Sequence, residues 1–105
     1  DEDAFSKKIY DVIGAGVGII ESVPAAVSIA YYTQDPNKCC LMCANLGGDT
    51  DTIGAMATAI CGAFVGYSKI NPEYTELLRV QNPETDFEEY INILEKGREL
   101  LGCGR

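Results

Sequence analysis

The run Gly47-Gly48-Asp49-Thr50-Asp51-Thr52 is where this sequence concentrates groups able to do chemistry. Two carboxylates one residue apart, each followed by a hydroxyl, are hard oxygen donors of the kind that magnesium and calcium take. Gly47 and Gly48 allow a backbone path closed to other residues and leave room for a ligand. The run precedes a helical stretch, and a helix N-terminus adds partial positive charge that favours carboxylates and bound phosphate. A plainer role fits the same residues. Asp and Thr are preferred N-caps, and Gly-Gly before a helix is an ordinary turn. Spacing alone leaves both readings open.

The 105 residues contain no His, which removes the commonest general base and the commonest zinc ligand. Chemistry here rests on carboxylates, thiols, hydroxyls or a bound metal. A net charge of −8 excludes nucleic acid as a partner, because phosphate backbones are held by Lys and Arg clusters. It equally excludes an anionic membrane surface.

Three other features imitate functional motifs. The stretch from Tyr10 to Gly18 resembles the glycine fingerprint of dinucleotide-binding folds, and Asp35 falls about 20 residues later, where a ribose-binding acid belongs. The fingerprint reading fails because the preceding strand would be too short, Pro24 interrupts the helix that should follow, and no further strand-helix units appear. Cys39-Cys40-Leu41-Met42-Cys43 places Cys39 and Cys43 on one helix face. No fourth ligand is evident, and Cys61 and Cys103 lack partner spacing, so these read as buried core thiols. Glu21, at a helix start, reads as a dipole-compensating surface acid in preference to a pocket residue.

Behind these residues stands a series of helices joined by marked turns. Residues 3–13 suit a first helix with Phe5, Ile9, Val12 and Ile13 on one side, broken by Gly14, Gly16 and Gly18. A second starts after Ser22 with Pro24 in its first turn, and carries Ala25, Ala26, Ile29 and Ala30 to about Tyr32. Asp35-Pro36 is a cap-plus-proline start for a third, which stops at Gly47-Gly48. A fourth runs from near Asp51 to about Tyr67. Ile53, Met56, Ile60, Phe64 and many Ala and Gly leave it no polar face, which predicts a central helix covered on all sides. Asn71-Pro72 opens a short helix through Leu78. Thr85 with Glu88 forms a capping box for the last, which ends at Gly102. In that last helix Phe87, Tyr90, Ile91, Leu94 and Leu101 share one face, and the acids face water.

The fold class is therefore all-α. Five short helices are thin cover for an apolar fourth, which suggests part of a larger body. An odd count of five cysteines and an opening Asp1-Glu2-Asp3 without a leader pattern suggest reduced thiols and a cytoplasmic location. The longest uncharged stretch, Thr52 to Ser68, is shorter than a membrane span needs.

The Gly47–Ile53 run, followed by a small-residue helix ending Gly62-Ala63-Phe64-Val65-Gly66, resembles the C-terminal metal motif of the ADP-ribosylglycohydrolase family. Gly14-Ala15-Gly16 with Glu21-Ser22-Val23-Pro24-Ala25-Ala26 is similar to a second family segment, and the Asn71-Pro72 start also fits. The similarity spans most of residues 12–80. It implies the C-terminal part, about the last third, of a single larger all-helical domain. Two magnesium or manganese ions lie in the active cleft of such a domain. By motif position, Asp49, Asp51 and Thr52 would be metal ligands, with Asp49 the candidate to touch both ions. Gly14, Gly16 and Val17 would line the ADP-ribose pocket, although family members often carry a polar residue where this chain has Ala15. The other family metal motif, a Thr-Asp-Asp type cluster with an acidic catalytic residue, has no match in residues 1–46. No catalytic residue is therefore assigned, and the remaining N-terminal part of the domain is the expected partner. The implied reaction is hydrolysis of the glycosidic bond between ADP-ribose and a modified protein side chain or small molecule. A non-catalytic relative, crystallin-like or ADP-ribose-binding, is the alternative.

Overall fold

Aspartate side chains cap three of the six α-helices. Asp1 accepts the Asp3 N–H at 2.9 Å, Asp35 accepts the Asn37 N–H at 2.9 Å, and Asp86 accepts the Glu89 N–H at 3.0 Å. Each satisfies a backbone donor that the first turn leaves unpaired. In the computed structural model, which describes residues 1–102, they open α1 (Glu2–Lys8), α3 (Pro36–Ala44) and α6 (Phe87–Leu100). The other helices are α2 (Ile19–Thr33), α4 (Thr50–Val65) and α5 (Pro72–Gln81). No strand occurs among the described residues, so the all-α class holds and the dinucleotide-fold imitation has no strand to rest on. No helix among them is long and apolar enough to cross a membrane. Cys103 lies outside the described residues.

Four boundaries depart from the sequence expectations. The first helix is not α-helical to residue 13. It widens into a π-helical turn over Ile9–Ile13, closed by the Gly14 N–H donating to the Ile9 carbonyl at 2.9 Å. The wider turn sets Ile13 beside Ile9 and swings Val12 outward, where it is 76% exposed. The second helix starts three residues before Ser22, with Gly18 at the N-cap and Pro24 inside it. The true start signal is Gly18 with Glu21 three positions on, not Ser22-Val23-Pro24. The last helix caps one residue later than expected, at Asp86 with Glu89 and not at Thr85 with Glu88. The fourth helix gives way at Gly66 (φ 91°) to a single 3-10 turn, Tyr67–Lys69.

The chain forms two compact units, residues 1–71 and the residues from Pro72 onward. In the first, α4 packs against α2 and α3. Its buried stripe is Ile53, Ala57 and Cys61, spaced by four residues, against Ile29, Ala30, Cys39 and Cys43. Burying Ile29 and Ile53 contributes about 2 kcal/mol each. Small residues set the closeness of α3 and α4, since a Cβ on Gly54 would lie 3.4 Å from the Cβ of Cys43. Cys39 and Cys43 are buried free thiols, as the sequence suggested. Phe5 stacks on Tyr32 with ring centroids 4.0 Å apart, which fastens α1 to α2.

As the thin cover offered by five short helices suggested, α4 is not covered on every side. Ile60 and Phe64 lie exposed on it, beside Val27 and Tyr31 of α2, around an apolar groove of about 340 Å³. Among the described residues, α2 and α3 cover one side of α4 and nothing covers the other. In the second unit α5 and α6 bury no residue. The predicted acidic face of α6 is exposed as expected.

A candidate metal turn and the glycine loop packed on it

Asp49 stands at the N-cap of α4, yet its side chain makes no capping hydrogen bond. It differs in this from Asp1, Asp35 and Asp86, which all cap. The cause is local backbone. Asp49 has φ −85° and ψ 66°, and the Thr50 N–H donates to the Gly48 carbonyl at 3.0 Å. That is an inverse γ-turn centred on Asp49, and it aims the carboxylate away from the donors of its own helix. The plain N-cap reading of this residue is therefore not what the structure shows.

The Asp49 carboxylate instead meets Asp51. The Asp51 carboxyl is held below the usual carboxylate range, first by hydrogen bonding with the Asp49 side chain, then by the backbone N–H groups of Thr52 and Asp51. Two carboxyl groups two residues apart thus stand together at the start of α4. Among the described residues, the ion pairs Lys7–Asp11, Arg79–Glu88 and Glu95–Arg98 do not include Asp49 or Asp51. Asp51 and Thr52 are exposed and Asp49 is half-buried.

Oxygen donors without a protein cation are what a hard divalent ion needs. By donor chemistry, then, the turn fits such an ion. By donor number it does not complete a site. Among the described residues no three His, Cys, Asp or Glu side chains gather closely enough to hold a metal. Two hollows among the described residues leave its side chains outside. The apolar groove on α4 takes no wall from Asp49, Asp51 or Thr52, and neither does a polar hollow of about 480 Å³ that includes Asp3, Tyr10, Asp11, Asn45 and Gly47.

The glycine loop between the π-helical turn and α2 packs directly on the turn at Asp49. The Ala15 carbonyl accepts the Asp49 N–H at 2.7 Å. Gly48 (φ 72°) is required there, because a Cβ would run into that same carbonyl. Ala15 is buried, Gly14 and Gly16 are half-buried, and Val17 is exposed. Of the residues assigned to a ligand pocket, Gly14 and Gly16 thus flank the contact with the turn at Asp49, while Val17 points to solvent.

Glu21 is a residue that sequence reasoning undervalued. It is half-buried, and its Oε1 accepts the Gly16 N–H at 3.0 Å. It lies so close to Gly14 (φ 99°) that a Cβ on that glycine would collide with its carboxylate. The surface-acid reading is corrected accordingly: Glu21 reaches back into the loop. The signal was present in its spacing, three residues after Gly18, which is the capping-box position for an acid.

The family model for ADP-ribosylglycohydrolase matches residues 1–101. YegU of Escherichia coli (strain K12), an uncharacterized protein, is 50% identical over 98 residues, covering 92% of this chain and 29% of YegU. The ADP-ribosylarginine hydrolase Tri1 of Serratia proteamaculans (strain 568) is 30% identical over 96 residues, 79% of this chain and 26% of Tri1. The ADP-ribosylhydrolase ARH3 of Xenopus tropicalis is 36% identical over 80 residues, 66% of this chain and 23% of ARH3. The chain thus spans less than a third of the length of each of these relatives. No solved structure matches it. A helical chain that presents an uncapped Asp49 beside Asp51, and that matches this family's model over residues 1–101, belongs to the ADP-ribosylglycohydrolase family.

Proposed function

We propose that this chain supplies part of the metal site of an enzyme that hydrolyses the glycosidic bond between ADP-ribose and a modified protein side chain or small molecule. Asp49, Asp51 and Thr52 would hold magnesium or manganese, two ions in the complete site. The rest of the single family domain would provide the remaining ligands and the cleft wall. The observation that carries this reading is the Asp49 side chain, which caps nothing in its helix and interacts with Asp51, neither of them in an ion pair with Lys or Arg among the described residues.

The protein groups have distinct tasks in this scheme. Asp49 and Asp51 hold charge and do not move protons; Thr52 adds a neutral oxygen. Bound divalent ions supply Lewis acidity toward ribose hydroxyls and water. Bond cleavage at the anomeric carbon develops oxocarbenium character, which nearby carboxylates stabilise by charge. Gly14, Gly16 and Val17 would wall the ADP-ribose pocket. The N-terminus of α4 favours the diphosphate without any need of Lys or Arg. The free thiols of Cys39, Cys40, Cys43 and Cys61 suit a cytoplasmic location.

Calorimetric titration of the full-length protein with Mg²⁺, with and without ADP-ribose, tests the site. Asp49→Asn and Asp51→Asn are each expected to weaken Mg²⁺ binding at least about 100-fold and to abolish hydrolysis, with far-UV circular dichroism unchanged. Near-wild-type binding and activity in both variants would remove the metal assignment. Tight Mg²⁺ and ADP-ribose binding without hydrolysis of any ADP-ribosylated substrate would favour the non-catalytic alternative.

A further inference from the structure

We propose that Glu21 is a positioning residue for the metal turn, acting through the glycine loop at a distance of 28 residues along the chain. The inference rests on the metal reading of Asp49, Asp51 and Thr52. The path is short and fully hydrogen-bonded. Glu21 Oε1 accepts the Gly16 N–H at 3.0 Å. Its carboxylate fills the space left by Gly14 and Gly16, where a Cβ on Gly16 would lie 2.9 Å from Oε1. The loop residue between those glycines is Ala15, which is buried and whose carbonyl accepts the Asp49 N–H at 2.7 Å.

Asp49 has few other restraints. Its side chain makes no cap, and its backbone sits in a γ-turn outside the helical region. The Ala15 carbonyl is therefore the contact from outside α4 that fixes where the Asp49 amide, and with it the carboxylate, stands. A glycine loop would hold that carbonyl poorly by itself, since Gly14 and Gly16 are the freest residues in the chain. Glu21 removes that freedom with a charge-assisted hydrogen bond from a rigid helix. The same bond uses the Gly16 N–H, so that donor is turned inward and away from any ligand.

The test uses the full-length protein with Mg²⁺ alone as probe, read by calorimetry and by amide hydrogen exchange. Glu21→Ala is expected to weaken Mg²⁺ binding by about ten-fold, the loss of one hydrogen bond to a charged acceptor. It should speed exchange at the Gly16 and Asp49 amides and leave those of Ile29 and Ala57 unchanged. Glu21→Gln keeps an acceptor oxygen and is expected to restore binding to within about three-fold of wild type. A merely structural glutamate would change melting temperature without this pattern of rescue. Should Glu21→Ala fail to fold, Gly16→Ala displaces the carboxylate by sterics and is expected to give the same loss. Unchanged Mg²⁺ affinity in whichever of these variants folds, or unchanged exchange at Asp49, would overturn the proposal. Asp49→Asn separates the two ideas. If it abolishes Mg²⁺ binding while the Glu21 variants bind normally, the positioning role alone falls; if it binds Mg²⁺ normally, the metal reading falls and this inference with it.

Discussion

The unit formed by residues 1–71 and the unit that begins at Pro72 are both helical, but only the first has an interior. Ile29, Ile53 and Ala57 are each 0% exposed, whereas α5 and α6 bury nothing. The sequences explain the contrast. In α2, α3 and α4 the helix contacts are made of Ala, Gly and Cys, small enough for backbones to approach. Helices α5 and α6 carry long apolar side chains such as Leu77, Leu78, Ile91 and Leu94 on one face, with charge on the other, a pattern that needs an external surface to lie on. A bare face also exists inside the first unit, on α4 around Phe64. The lesson is that helicity and burial are separate properties here. Local caps and propensities make every helix, but tertiary cover reaches only one of the two units and only one side of its central helix.

The largest expected effect comes from the filled side. Ile53→Ala removes a fully buried side chain between α4 and its neighbours, and should destabilise the protein by roughly 2–5 kcal/mol in chemical denaturation. Leu94→Ala in α6 should cost under about 0.5 kcal/mol in the 105-residue chain, because no buried contact is lost. The comparison sharpens when both are repeated in the full-length protein. If the remainder of the family domain covers the bare faces, Leu94→Ala and Phe64→Ala should become several-fold costlier there. Equal costs for Ile53→Ala and Leu94→Ala in the short chain would break the contrast.

A smaller effect follows from caps. Asp86→Ala removes the acceptor for the Glu89 N–H and should cost about 1 kcal/mol. It should appear as faster amide exchange in the first turn of α6. At Asp49 the same kind of substitution should produce no loss of this sort, because that side chain caps nothing. A helix-start defect in Asp49→Ala equal to that in Asp86→Ala would show that Asp49 is a cap after all.

How far the sequence carried this reading depends on whether a feature is local. The helix start at Asp35-Pro36 was legible because the residues that make it are adjacent. The π-helical turn was not, since Phe5, Ile9, Val12 and Ile13 fit an α-helical stripe equally well, and only packing of Ile13 beside Ile9 selects the wider turn. The start of α2 was misplaced because Ser22 and Pro24 carry a stronger conventional signal than Gly18 with Glu21. The Asp-Thr-Asp-Thr run identified its own donor chemistry, while its backbone partner Ala15 lies 34 residues upstream of Asp49 and left no pattern in spacing. Incomplete cover of α4 was legible from the shortness of the other five helices, but which side stays bare was not, because composition reports that a helix is apolar and not where its neighbours lie.

The smallest effect is a reporter of that missing cover. Cys39, Cys43 and Cys61 are buried free thiols, whereas Cys40 on the same α3 is exposed. The Cys39 thiol is pushed up, first by its hydrogen bond with Cys43 and then by burial; Cys61 is pushed up chiefly by burial. A raised thiol pKa means less thiolate at a given pH, and the thiolate is the nucleophile. In native buffer iodoacetamide should therefore label Cys40 at least about ten-fold faster than Cys39 or Cys61. Labelling of Cys61 should keep rising with pH above the ordinary thiol range, since each step upward produces more of its suppressed thiolate. Cys61 also lines the apolar groove with Ile60 and Phe64, so it reads the bare side of α4 directly. In the short chain its labelling should exceed that of Cys39, which lies away from the groove; covering the groove in the full-length protein should bring the two rates together. Peptide mass mapping after timed labelling gives both rates, and a Cys61 rate that is the same in the two proteins would mean that the groove stays open in the complete domain.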